Sequence, residues 1–144
     1  MEKTDPASLP DYLLDDQIGY ILRRVTQRHL AIFSEAIPQV TTTQFAVLAR
    51  LRQLGPLSQN LLGRETAMDA ATIKGVVDRL TRQGYVTTAP DPEDRRRLTV
   101  ALSAEGEALY AQVVGKALAV SASTLDPLSA SERATLTALL LRLV

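Results

Sequence analysis

The stretch Ser58–Leu102 constrains the architecture more than any other part of the chain. Ser58 stands where it can cap a short helix, Ser58–Glu65, and Thr66–Met68 reads as a tight turn. Asp69 can cap a second helix that runs to Gln83. The buried side of that helix would be Ile73, Val76, Val77 and Leu80, with Gly84 at the left-handed position that ends it. Two β-prone runs follow, Tyr85–Ala89 and Arg97–Leu102, and the second alternates Leu98, Val100 and Leu102 with Arg97, Thr99 and Ala101. Between them Pro90–Arg96 holds two prolines and a cluster of charge, so it is a loop. A helix pair followed by a two-stranded ribbon with a basic tip suits double-stranded DNA. One helix enters a groove, and the loop reaches the neighbouring backbone or groove.

The flanks are strongly apolar helices. Residues 1–11, with Pro6 and Pro10, read as a frayed arm. Leu14–Ala36 carries Leu14, Ile18, Ile21, Leu22, Val25, Ile32, Phe33 and Ala36 at three- and four-residue steps, which is one side of a helix. Arg23, Gln27, Ala31 and Ser34 fall on the other side, and Pro38 ends it. Thr41-Thr42-Thr43-Gln44 is a capping-box pattern for the next helix, which Gly55-Pro56 stops. After the ribbon, Ser103 can cap a helix to about Ser123, Asp126-Pro127 breaks it, and Ser129–Glu132 is a second capping box for a last helix. The expected fold is mainly α: a single domain over residues 1–144, with a winged helix–turn–helix at 41–102. Helices at 12–37 and 103–144 flank it. These flanks are expected to pack on a second copy as an isologous dimer, because a lone reading head meets too few base pairs for useful specificity. The alternative is that they form one large monomeric core.

Composition bounds what such a chain can do. Its 144 residues are 46% apolar and 22% charged, a globular balance able to bury a real core. Formal net charge is zero, so no global field draws nucleic acid. From Arg64 to Arg97 there are seven Lys/Arg against six Asp/Glu, so any DNA contact depends on where the charges sit. No cysteine is present, which excludes disulfides, thiol redox sensing and cysteine-ligated zinc. His29 is the only histidine, so one subunit has no His-rich metal site. The first residues show no apolar signal core and no apolar run approaches a membrane span, so a soluble cytoplasmic protein is the default expectation. No nucleophile–base arrangement, phosphate loop or metal cluster points to an enzyme, and no cofactor is implied.

The start of the second helix of the pair holds the residue types that meet base edges. Ala70 and Ala71 allow close approach, and an alanine methyl can meet a thymine methyl. Thr72 can bond a base or phosphate, Lys74 can reach guanine acceptors or the backbone, and Arg79 and Arg82 would serve phosphates. An ordinary amphipathic helix with a solvated charged face would look similar. The loop tip separates the two: Arg95, Arg96 and Arg97 repel one another, and a monomer gains nothing by gathering them there. Arginine in a narrow minor groove reads shape and potential, with Asp94 and Glu93 as partners able to hold the guanidinium groups. A solvated turn with local salt bridges is the bland alternative.

Three runs together carry a family resemblance. They are Val77-Asp78-Arg79-Leu80-Thr81-Arg82-Gln83-Gly84-Tyr85-Val86, Asp91-Pro92-Glu93-Asp94-Arg95-Arg96, and Leu102-Ser103-Ala104-Glu105-Gly106. With Thr41-Thr42-Thr43-Gln44-Phe45 before them, the chain resembles the MarR family of bacterial transcriptional regulators along essentially its whole length. The resemblance implies a homodimer with interlocked terminal helices and two winged heads on successive major grooves of a pseudo-palindromic operator. In the family's Asp-x-Arg wing pattern the minor-groove arginine is Arg96 and its acidic partner Asp94. The resemblance also implies a repressor released by a small ligand; an activator, or a winged-helix protein-interaction module without a ligand, is the alternative. Without cysteine the chain cannot work like peroxide-sensing members, and with one histidine it does not look like zinc-sensing ones. A sensor of aromatic or phenolic acids, or their CoA thioesters, remains.

The family's pocket lies between the dimer helices and the winged head, so the first two helices should line it. The candidates there are Ile21, Arg24, Arg28, His29, Phe33 and Phe45. Arg24 or Arg28 can pair with a carboxylate, and His29 can bond a phenol hydroxyl. Against these stand a core histidine bonded to a backbone carbonyl, and arginines used in intersubunit salt bridges.

Overall fold

A computed structural model describes residues 6–144. Its elements in chain order are α1 (Ile18–Ala36), α2 (Thr42–Leu54), β1 (Leu57–Ser58), α3 (Gln59–Glu65), α4 (Ala70–Gln83), β2 (Val86–Pro90), β3 (Leu98–Leu102), α5 (Ala104–Leu125) and α6 (Ala130–Leu141). Short 3-10 turns at Pro6–Ser8 and Leu14–Asp16 precede α1. Part of the expected frayed arm, residues 1–5, lies outside the described residues.

Side-chain caps set most helix starts. Thr41 Oγ1 accepts the Gln44 N–H at 3.2 Å, while the Gln44 carbonyl oxygen accepts the Thr41 N–H at 3.0 Å. Ser129 and Glu132 repeat the arrangement at α6. Ser58, Asp69 and Ser103 cap α3, α4 and α5 singly. Each such cap contributes roughly 1 kcal/mol by satisfying an otherwise orphaned N–H. Gly84 ends α4 at φ 83°, a conformation in which a β-carbon would be strained.

Besides shifts of a residue or two at element ends, with Ser58 and Pro90 in strands and Arg97 in the turn, two larger differences from the sequence reading stand out. The first long helix starts at Ile18, not Leu14, because Gln17 is extended and turns its side-chain amide back to the Leu13 carbonyl at 3.1 Å. Leu14 fits the apolar period because a 3-10 turn also returns every three residues. The ribbon is also wider than two strands. Leu57 and Ser58 pair with Val100 and Thr99, giving an antiparallel three-stranded sheet of order β1-β3-β2. A two-residue strand shows no alternation, so periodicity does not reveal it.

The core gathers Ile37 after α1, Val47 and Leu48 of α2, Leu62 of α3, Ile73, Val77 and Leu80 of α4, Val100 of β3 and Val113 of α5, all fully buried. The winged helix and the inner side of α5 thus share one core. The outer apolar residues do not join it. Ile18 is 61% exposed, Leu22, Val25 and Leu118 are exposed, and α6 buries no residue despite its leucines. Although no unbroken apolar run is long enough, α5 reaches a mean hydropathy of 1.2 over 18 residues, enough by length and composition to cross a membrane. Here it packs along α1, α2 and β3.

Candidate functional site

The solvent face of α4 is polar and cationic. Ala70, Ala71, Thr72, Lys74, Arg79 and Arg82 are all exposed, while Ile73, Val76, Val77 and Leu80 face the core. This division follows from the helical period and places the small residues at the helix start. Asp69 Oδ1 accepts the Thr72 N–H at 2.7 Å, and that bond holds its carboxyl below the usual aspartate range. Lys74 Nζ lies 2.9 Å from Asp78 Oδ2 one turn on. An exposed pair of this kind contributes little, so the ammonium is easily transferred to a stronger anion.

The wing tip is ordered by carboxylates. Asp91 Oδ1 accepts the N–H groups of Glu93 and Asp94 at 2.8 and 3.3 Å, and the Arg97 N–H returns to the Asp94 carbonyl at 2.9 Å. Asp94 then grips Arg96 at both backbone and side chain. Its Oδ1 accepts both the backbone N–H, at 3.1 Å, and the side-chain Nε–H, at 3.2 Å, and Nη2 reaches Oδ2 at 3.4 Å. Arg97 Nε stands 3.7 Å from Asp94 Oδ2. The Arg96 side chain, then its backbone N–H, and finally the Arg97 charge keep the Asp94 carboxyl below the usual range. Arg96 remains 92% exposed, so a fixed guanidinium projects into solvent. Arg95 is exposed beside it, and Glu93 makes no ion pair among the described residues. Sequence reading did not single out Gln59 and Asn60, which face Arg96 and Arg97 across a small cleft of about 140 Å³.

The base of the wing is clipped to α5. Ser103 Oγ donates to the Gly84 carbonyl at 2.5 Å and accepts the Gly106 N–H at 3.0 Å, while the Ser103 N–H bonds the Tyr85 carbonyl at 3.1 Å. Gly106 lies so close to the Tyr85 carbonyl oxygen that a β-carbon there has no room. The Leu102-Ser103-x-x-Gly106 run therefore joins the end of α4 to the start of α5.

The candidate effector residues form two groups. His29, Phe33 and Phe45 continue as a ladder of rings, with centroids 6.4 Å and 6.0 Å apart, and Phe45 stacks on Tyr110 of α5 at 5.8 Å. Tyr110 carried no sequence signal of its own. His29 bonds a threonine hydroxyl, not a backbone carbonyl: Nδ1 lies 2.8 Å from Thr124 Oγ1. That hydroxyl is also 2.9 Å from the Val120 carbonyl; when it donates there, the tautomer that fits has Nδ1–H donating to Thr124, which leaves Nε2 as the acceptor. Arg24 sits 6.0 Å over the Tyr20 ring, and Ile21 is exposed. Arg28 is committed elsewhere. Its guanidinium donates to the carbonyls of Ser123, Thr124 and Asp126 at 2.8–3.0 Å, closing the end of α5.

Comparison with known proteins places this geometry. The MarR family profile matches residues 40–98, the segment from the start of α2 into β3. The transcriptional repressor NicR of Pseudomonas putida is 40% identical over 99% of this chain and 94% of its own length. The chain belongs to the MarR family. A probable transcriptional regulator from Pseudomonas aeruginosa has the same fold at a TM-score of 0.89 and 50% identity, covering 92% of this chain and all of that one. BpsR of Bordetella bronchiseptica, whose DNA binding is regulated by 6-hydroxynicotinic acid, superposes with a TM-score of 0.88 at 38% identity, covering 93% of this chain and 97% of that one. This MarR-family chain is accordingly a transcriptional regulator and not an enzyme.

Proposed function

We propose that this chain is a homodimeric repressor that binds a pseudo-palindromic operator and is released by a small aromatic or phenolic acid, or its CoA thioester. The observation that carries the DNA half is the wing: Asp94 holds Arg96 at backbone and side chain while leaving the guanidinium exposed. A prefixed arginine enters a narrow minor groove with little ordering cost. On this reading Arg96 enters that groove with Arg95 and Arg97 beside it. Ala70, Ala71, Thr72 and Lys74 face bases in the major groove, and Arg79 and Arg82 meet phosphates. Such a regulator works beside the chromosome, in the cytoplasm.

Exposed apolar residues at both ends of the chain support dimerisation. Tyr12, Leu13, Ile18 and Leu22 at one end, and Leu139, Leu140 and Leu143 at the other, are large apolar side chains left exposed, and clustering of such residues marks an interface. For the effector, the ring ladder His29–Phe33–Phe45 gives a planar ligand a wall, with His29 Nε2 free to accept a hydroxyl. Arg24, with Ile21 nearby, is the cation for the carboxylate, whereas Arg28 frames the site through α5. Ligand control of BpsR by a hydroxylated aromatic acid and the repressor NicR both favour this reading. It is tested by fluorescence anisotropy with DNA flanking the protein's own gene. Tight binding that aromatic acids such as 6-hydroxynicotinate or their CoA esters reverse supports it. Binding that no member of such a panel alters removes the sensor half, and a monomer by sedimentation at micromolar concentration removes the dimer.

A further inference from the structure

A second cleft, of about 720 Å³, lies at the far end of α1 from Arg24. It runs between the last turns of α1, the Pro38–Thr41 connection, the first turn of α2 and Gln83, the last residue of α4. Its volume is in the range of small-molecule sites. Of the effector residues discussed above, it shares only Phe33. The apolar part includes Leu30, Phe33, Ile37 and Val40; the polar part includes Thr42 and Gln83; no charged residue lines it.

Gln39 stands out within this lining. Its side-chain carbonyl oxygen is buried and has no hydrogen-bond partner. A buried acceptor without a donor is costly to the fold, and native structures satisfy nearly all such groups. A short turn of the amide towards a donor in the cleft would relieve that cost. A charged ligand, by contrast, would lose hydration with nothing to replace it.

We propose that this cleft binds a small uncharged ligand with a planar apolar body and one hydrogen-bond donor, which the Gln39 side-chain carbonyl accepts. The site is separate from the anionic effector site proposed above and stands whether or not that assignment holds. Because Gln83 closes one side, the occupant touches the end of α4 directly and can bias where that helix sits.

The test uses the full-length protein, ¹⁵N-labelled, with three probes: phenol, which is neutral with a donor; anisole, its donor-less ether; and benzoate, an anion. Phenol should shift the amide signals of Gln39, Thr42 and Gln83 and bind there about three- to tenfold more tightly than anisole, the worth of one neutral hydrogen bond. Benzoate should leave those signals in place. In Gln39→Leu, which replaces the unpartnered acceptor with an apolar group of similar size, the phenol–anisole gap should close. If that variant does not fold, the gap in the unaltered protein decides alone. Equal binding of phenol and anisole, shifts confined to His29, Phe45 and Tyr110, no binding at millimolar phenol, or Overhauser contacts showing the cleft filled by the partner subunit would each overturn the proposal.

Discussion

Replacing Gly106 by alanine tests how the winged head is joined to α5. A β-carbon at Gly106 would collide with the Tyr85 carbonyl oxygen and press on Leu102 Cδ2 at 3.3 Å. The oxygen belongs to backbone that also accepts the Ser103 N–H at 3.1 Å, so it cannot swing aside. The start of α5 must move instead. Overpacking of this kind costs about 1–3 kcal/mol, and a weakened Ser103–Tyr85 hydrogen bond adds about 1 kcal/mol. Alanine returns up to about 1 kcal/mol through its higher helix propensity. The net expectation is a loss of about 2 kcal/mol, and a fall in Tm of roughly 5–10 °C for a domain of this size. Thermal unfolding at fixed protomer concentration measures it, since dimerisation makes Tm concentration-dependent. Gly75→Ala serves as the control, because its β-carbon would meet nothing within 4 Å. A Gly106→Ala protein as stable as the parent would refute the close-approach reasoning.

Three further outcomes follow from the same geometry. Arg28→Met should lower stability by about 1–2 kcal/mol by uncovering the α5 carbonyls, measured by urea unfolding; an unchanged midpoint would show that the three bonds contribute nothing. Asp94 should titrate below the ordinary aspartate value of 3.8, because Arg96 binds its ionised form. Its stabilisation is therefore complete above 3.8 and lost as pH falls through the depressed folded value. A carbon-detected titration checks this, and in Arg96→Ala the midpoint should move back up; a midpoint at or above 3.8 in the parent contradicts it. Arg82→Ala should reduce the slope of log affinity against log salt by about one unit, and an unchanged slope removes Arg82 from the phosphate contacts.

Local chemistry made much of this fold readable. Thr41, Ser58, Asp69, Ser103 and Ser129 each declare a helix start, because a capping side chain needs only its own next few residues. Gly84 and the alternation in β3 are local in the same sense. What escaped was set by distant partners. Leu57–Ser58 becomes a strand only because β3 lies beside it. Arg28 and His29 sit on one helix, yet both answer to the end of α5, some 95 residues away in sequence. Tyr110 matters through Phe45, which no pattern along α5 announces. Within the wing, Asp94 and Arg96 are two residues apart, so their pairing was legible. Glu93 was an equally reasonable partner by spacing, and only the turn made by Asp91 separates the two.

The most direct measurement of the central claim compares parent and Arg96→Ala binding to DNA flanking the protein's own gene, at one fixed salt concentration. The variant removes an exposed side chain whose partner, Asp94, still orders the turn with Arg97, so the fold should survive, as circular dichroism can verify. A wing arginine held for the minor groove predicts a loss of about 1–3 kcal/mol, roughly 5- to 150-fold in Kd. Parent protein that binds this DNA tightly, together with a variant that binds it equally well, would contradict the claim that Asp94 and Arg96 form the reading tip.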